Sequence, residues 1–208
     1  MSISALNPVS AAPRYQANLT GGSLKVAESR IVAGLILQGG DPQDWRKAIL
    51  TENLLKTRTP GTAKRLGRLI RDRLSPMPPA ILLLIRDGAG DVATHAVLAA
   101  AIRHSPLLGD FMDLVLRDQY RRFSTVLTNK VWNDYVEDCR GRDPEMPQWS
   151  DSTVQRLRSS VFQILAQAGF VQNTRSLALL RPHISDQVIA CLKLNREDYV
   201  LRCITVGS

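Results

Sequence analysis

Apolar residues recur along this chain at the three- and four-residue spacing of amphipathic helices. From Leu24 they run through Ala27, Ile31 and Leu35 until Gly39-Gly40 ends the segment. A second helix has a marked start: Asp41 is placed to cap it, Pro42 suits its first position, and Trp45, Ala48 and Ile49 form its buried stripe. Thr59-Pro60 repeats that signal for a third helix, running to Leu74. The cluster Ser75-Pro76-Met77-Pro78-Pro79 then breaks the chain, because proline cannot continue a helix. Apolar stretches at 80–86 and 91–104 follow, then helices over 106–122 and 129–139. Beyond a loop holding Pro144 and Pro147, Ser150 to Ser152 offer caps for a long helix that ends at Gly169. Residues 185–194 and 196–205 predict two short closing helices, with a paired strand as the alternative for the β-branched end.

These elements predict an all-α, compact globular protein of two lobes, each with a helix-turn-helix-like pair. Residues 1–22 lack periodicity and read as a mostly flexible tail, 23–123 as the N-terminal lobe and 124–208 as the C-terminal lobe. Composition agrees: 44% apolar residues suit a globular chain, and 5% aromatics favour helices over sandwiches or barrels. A chain of 208 residues buries a core without disulfides or metal. Cys139, Cys191 and Cys203 are odd in number and far apart, which fits reduced thiols in a cytoplasmic protein. The start MSISALNPVS lacks the pattern of a secretory signal. The longest apolar runs, Ile81–Ile85 and Ala96–Ile102, fall far short of the roughly 20 residues that span a bilayer, so no membrane association is expected.

A net charge of +8 attracts polyanions, of which nucleic acid is the commonest. The charge is concentrated: residues 55–75 hold seven Lys or Arg and one acid. On a helix over 60–74, Ala63, Leu66, Ile70 and Leu74 share one stripe, while Lys64, Arg68 and Arg71 share the opposite face with Arg65 at its edge. Thr59, Thr62 and the first free N–H groups add donors at the helix start, and Gly61 leaves room for close approach to its backbone. Following helix 42–50, this helix holds the recognition position of a helix-turn-helix, although the connection exceeds the usual three or four residues. A second, weaker candidate set is Gln155, Arg156 and Ser159 on helix 152–168, opposite the stripe of Val154, Leu157, Val161, Ile164, Leu165 and Ala168. Arg117, Arg121, Arg122, Lys130, Arg140 and Arg142 are candidate phosphate contacts between the two. Both faces also suit ordinary solvated helices.

Enzyme motifs are absent. In ILLLIRDGAGDVATHAVLAAAI only Gly88 and Gly90 fit a nucleotide fold, and Asp87 and Asp91 would repel a phosphate. A helix–loop–helix junction capped by Asp91 is the better reading. His95, His104 and His183 have no metal-ligand spacing, and the chain contains no HExxH, GxSxG or P-loop. No catalytic residue, cofactor, metal ligand or small-molecule substrate is therefore expected.

Several of these residues resemble the BrxA family of BREX (bacteriophage exclusion) phage-defence systems. The similarity rests on Tyr15 with Leu19-Thr20-Gly21-Gly22 and Leu24, on Glu28 and Arg30, and above all on Glu52-Asn53-Leu54-Leu55 with Arg58-Thr59-Pro60 and Thr62-Ala63-Lys64-Arg65. Pro106-Leu107-Leu108 with Phe111, and the stretch from Ser152-Thr153 through Arg156-Leu157-Arg158 to Ala168-Gly169-Phe170, add to it. The resemblance implies an all-helical, double-stranded DNA-binding accessory protein with helix-turn-helix elements, working beside other BREX proteins. From the residues alone, a helical adaptor docking an acidic partner subunit and an RNA-binding protein remain alternatives.

Overall fold

The structure, a computed structural model, describes residues 12–19, 22–39 and 41–207. Within them the chain forms α1 (Val26–Gln38), α2 (Pro42–Arg46), α3 (Pro60–Leu74), α4 (Pro79–Asp87), α5 (Gly90–His104) and α6 (Pro106–Asp110). It continues through α7 (Arg117–Arg121), α8 (Asn129–Arg142), α9 (Asp151–Gln167), α10 (Asp186–Leu194) and α11 (Asp198–Ile204). A π-helical turn, Lys47–Thr51, extends α2, and another, Phe111–Leu116, joins α6 to α7. The fold is all-α: among the described residues the only β pairing is two isolated antiparallel bridges, Val126–Ala178 and Val171–Leu179.

Local chemistry sets most helix starts where the sequence places them. Asp41 Oδ1 accepts from the N–H groups of Gln43 and Asp44 at 2.6 and 2.8 Å, Thr59 caps Thr62, and Ser150 caps Thr153. Gly39, in the left-handed region at φ +66, ends α1; Gly40 lies outside the described residues. Asp91 does not cap α5. Ala89 occupies the cap position and Asp91 sits inside the first turn, where its charge meets the positive end of the helix dipole. The β-branched end of the chain is helix α11, with Val200, Cys203 and Ile204 buried.

Helix α5 is the centre: every residue from His95 to Ile102 is buried. Helices α1, α3 and α4 pack around it, and α10 and α11 return from the far end of the chain to pack on it as well. One hydrophobic cluster runs without a break from Tyr15 to Val206, across the boundary near Phe123. Phe111, Trp132 and Tyr135 pack edge-on or tilted within it at ring distances of 5.2 to 5.8 Å, and the Trp132 indole N–H donates to Val154 O, tying α8 to α9.

The reading of residues 1–22 as mostly flexible needs correcting in its described part; residues 1–11, 20 and 21 lie outside the described residues. Tyr15 and Leu19 are core residues, at 1% and 0% exposure. The Arg14 guanidinium and the Tyr15 hydroxyl both donate to Asp110 at the end of α6, and the Tyr15 N–H donates to Asp143. A short segment with two large apolar side chains is held by burial and by a buried carboxylate, so it shows no helical periodicity.

Candidate nucleic-acid interface

Helix α3 lies against α1, α5 and the Lys47–Thr51 turn. Its buried side is Ala63, Gly67, Ile70, Arg73 and Leu74, and Leu66 is only partly covered. Gly67 sits there because the turn comes close: a Cβ would lie 3.2 Å from Ile49 Cγ2. The stretch before α3 spans 52–59 and is pinned by its own side chains. Asn53 exchanges hydrogen bonds with the Thr57 backbone in both directions at 2.9 and 3.0 Å, and Leu55 is buried. The Thr59 hydroxyl accepts the Thr62 N–H at 3.2 Å and donates to the Thr62 hydroxyl. Thr59 is thus occupied in capping. The Glu52–Arg65 stretch owes much of its sequence to this local architecture.

The outer face carries the cations. Lys64, Arg65, Arg68 and Arg71 are all exposed. Lys64, Arg68 and Arg71 line one groove of about 520 Å³ with Trp45 and Arg46, and the Arg71 guanidinium lies 4.8 Å above the centre of the Trp45 ring. Arg65 and Thr62 lie on the other flank with Lys25, and Arg68 borders both. Arg46 and Lys25 belong to this surface, although neither stands out in the sequence because they sit on other elements. Gly61 has open space where a Cβ would be.

Among the described residues, Lys64 and Arg65 have no ion-pair or hydrogen-bond partner. Arg71 has only the Trp45 ring, and Arg68 is 3.5 Å from the exposed Asp72. Most candidates elsewhere are paired with acids. Arg117 pairs with Asp113, Arg122 with Asp118, Lys130 with Asp134 and Arg140 with Glu137. Arg142 is held over the Tyr15 and Tyr135 rings. Four of those charges are compensated by nearby acids, whereas Arg121, like Lys64 and Arg65, is exposed with no ion pair among the described residues. What sets α3 apart is that several such cations share one face. Arg73, one of the seven cations of segment 55–75, points the other way: it is fully buried and reaches the carbonyls of Ser23 and Leu24 at 3.3 and 3.2 Å.

On α9, Gln155, Arg156 and Ser159 are exposed, as their spacing predicts. Arg156 folds back onto Ser152 O, and the Ser159 hydroxyl donates to Gln155 O at 3.0 Å, so each makes a local contact on its own helix. Gln155 also borders a cleft between α8 and α9. No described helix is long and apolar enough to cross a membrane.

Comparison with known proteins sharpens the picture. The family model named BrxA matches residues 13–196. A BREX protein BrxA of Paramagnetospirillum magneticum (strain ATCC 700264 / AMB-1) is 50% identical over 197 residues, covering 95% of this chain and 99% of that protein. A BREX protein BrxA of Escherichia coli O9:H4 (strain HS) is 31% identical over 184 residues, covering 88% of this chain and 86% of that one. Among solved structures, an uncharacterized protein from Magnetospirillum magneticum superposes with a TM-score of 0.88 at 48% identity, over 93% of this chain and all of the other. With a family model spanning most of its length and relatives of this identity, the chain belongs to the BrxA family of BREX phage-defence proteins.

Proposed function

We propose that this BrxA-family chain is a non-catalytic, double-stranded DNA-binding component of its BREX system, holding the duplex backbone against the outer face of α3. The observation that carries this reading is the uncompensated charge of Lys64, Arg65 and Arg71, beside a groove that also holds Arg46. Lys64, Arg65, Arg68 and Arg71 contact phosphates, with the Thr62 end of the helix adding donors. Gln155, Arg156 and Ser159 form a second and weaker contact set on α9. Helix-turn-helix pairs organise both: α2 with α3, and α8 with α9. Few of these side chains suit base readout, so binding is modest in sequence preference and steep in salt dependence. Other BREX proteins are partners by system membership.

The test is titration of duplex DNA across salt with wild type and with Lys64→Glu/Arg68→Glu/Arg71→Glu. The reading predicts that the folded triple variant loses most of its affinity, because about three phosphate contacts become repulsive. Equal affinity in the two proteins sinks the α3 face. Absence of binding to any nucleic acid at low salt leaves the adaptor as the function, and tighter binding to duplex RNA favours the RNA alternative.

A further inference from the structure

The segment that leaves α9 does something the sequence pattern gives no sign of. After Phe170 the chain forms a tight hairpin, in which Gln172 N–H donates to Ala178 O and Leu180 N–H to Phe170 O, both at 2.9 Å, around the Val171–Leu179 bridge. The returning arm pairs on its other side with residues 125–127. Leu127 N–H donates to Leu177 O at 3.0 Å and Leu179 N–H to Thr125 O at 2.8 Å, around the Val126–Ala178 bridge. The order is therefore a helical rod over 106–121, a short edge segment, α8, α9 and a hairpin whose second arm lies between the other two segments. Helices joined this way are those of a winged helix-turn-helix, with the hairpin as its wing.

The hairpin tip serves no core. Residues 172–176 are all exposed, while Val171 and Leu177 at its base are buried. It is nevertheless held in one shape. Asn173 Oδ1 accepts the N–H groups of both Arg175 and Ser176, at 2.9 and 2.8 Å, and Leu177 takes the left-handed conformation at φ +51 with its N–H on Asn173 O. The one charged side chain of the tip, Arg175, has no partner of its own among the described residues. An exposed, preformed hairpin with a free guanidinium at its apex, emerging from the end of an exposed amphipathic helix, suits a phosphate backbone: the fixed loop lowers the ordering cost and the cation supplies the contact.

We propose that residues 170–180 act as a wing on duplex DNA, with Arg175 holding the backbone flanking the groove that faces α9. The proposal rests on duplex DNA being the ligand. It adds a contact that lies outside both helix-turn-helix pairs.

The experiment uses the full chain, a duplex of about 30 base pairs, and the variants Arg175→Glu and Arg175→Lys. The Arg175 side chain makes no hydrogen bond or ion pair among the described residues, so thermal melts of all three proteins should coincide. Arg175→Glu should lower affinity about tenfold and reduce the slope of log affinity against log salt by about one, while Arg175→Lys keeps most of the binding. Wild-type binding with an unchanged affinity and slope in Arg175→Glu overturns the wing and leaves the α3 face standing. Failure of wild type to bind the duplex at low salt overturns both.

Discussion

The hydroxyl of Tyr199 passes so close over Gly109 that a Cβ there would lie 2.3 Å from it, and the same hydroxyl donates to Asp110 Oδ1 at 2.7 Å. Asp110 also accepts from Tyr15 at 2.8 Å and from the Arg14 guanidinium, so one buried carboxylate gathers the N-terminal segment, α6 and α11. Glycine at 109 is what lets Tyr199 reach it. Gly109→Ala should destabilise the fold, and less so in a Tyr199→Phe background, where the closest atom is gone. Asp110→Ala should cost about 2–4 kcal/mol, since it strands two hydroxyls and leaves Arg14 unpaired; Tyr199→Phe alone should cost about 1 kcal/mol. Urea unfolding of the single and double variants checks both, and strict additivity of Gly109→Ala with Tyr199→Phe would contradict the contact.

Arg73 is a buried cation with no carboxylate paired to it among the described residues. Its Nε and Nη2 atoms lack hydrogen-bond partners among the described residues, and burial pulls its pKa down to about 10. Such a group opposes folding at neutral pH, because its charge loses hydration that two backbone carbonyls only partly replace. Arg73→Met, similar in length and uncharged, should leave stability unchanged or raise it. A loss of more than about 2 kcal/mol in urea unfolding would show that the carbonyl contacts to Ser23 and Leu24 outweigh the desolvation.

Acidification should weaken the fold before its carboxylates titrate. Burial holds His95 and His104 below the ordinary histidine value of 6.5, with nearby Arg73 adding to the effect at His104 and His183 at His95, against Asp72 and Asp91 respectively. His95 Nδ1 accepts the Ser185 N–H at 3.2 Å, which requires the neutral ring. The unfolded chain then binds protons first as pH falls. The stability these rings contribute is fully present above the unfolded value of 6.5 and is lost as pH drops through their lower folded values. Melting temperature followed from about pH 7.5 to about pH 5.5 should decline in wild type and decline less in His95→Asn, whose amide oxygen can replace the acceptor. Equal slopes would count against His95 as the sensor.

At the start of α3, stability and binding should separate. Thr59→Ala removes the cap on Thr62 and should cost about 1 kcal/mol. Gly61→Ala meets nothing within 4 Å, so stability should hold or rise slightly while affinity for duplex DNA falls, if the backbone is approached there. Thermal melts and a DNA titration on the two variants decide this; undiminished affinity in folded Gly61→Ala removes that part of the interface.

Much of this protein was legible in its residues because the interactions involved are local. The Thr59-Pro60 start of α3, the Asp41 and Ser150 caps and the 3.6-residue stripes involve residues three or four apart, so spacing alone determines the all-α class and the exposure of Lys64, Arg65, Arg68 and Arg71. The Asp91 cap failed for a local reason too, since Gly88 and Gly90, either side of Ala89, left the start of α5 ambiguous. What only the tertiary structure decided lies far apart along the chain. Tyr15 meets Asp110 across 95 positions, Arg117 is neutralised where segment 117–122 looked free, and Arg73 turns inward among residues that turn outward. The hairpin after α9 is closed by the Val171–Leu179 bridge and tied to segment 125–127 by the Val126–Ala178 bridge, pairings that no periodicity signals. Such contacts depend on which elements pack together, and a one-dimensional pattern carries the propensity of each element without its neighbours.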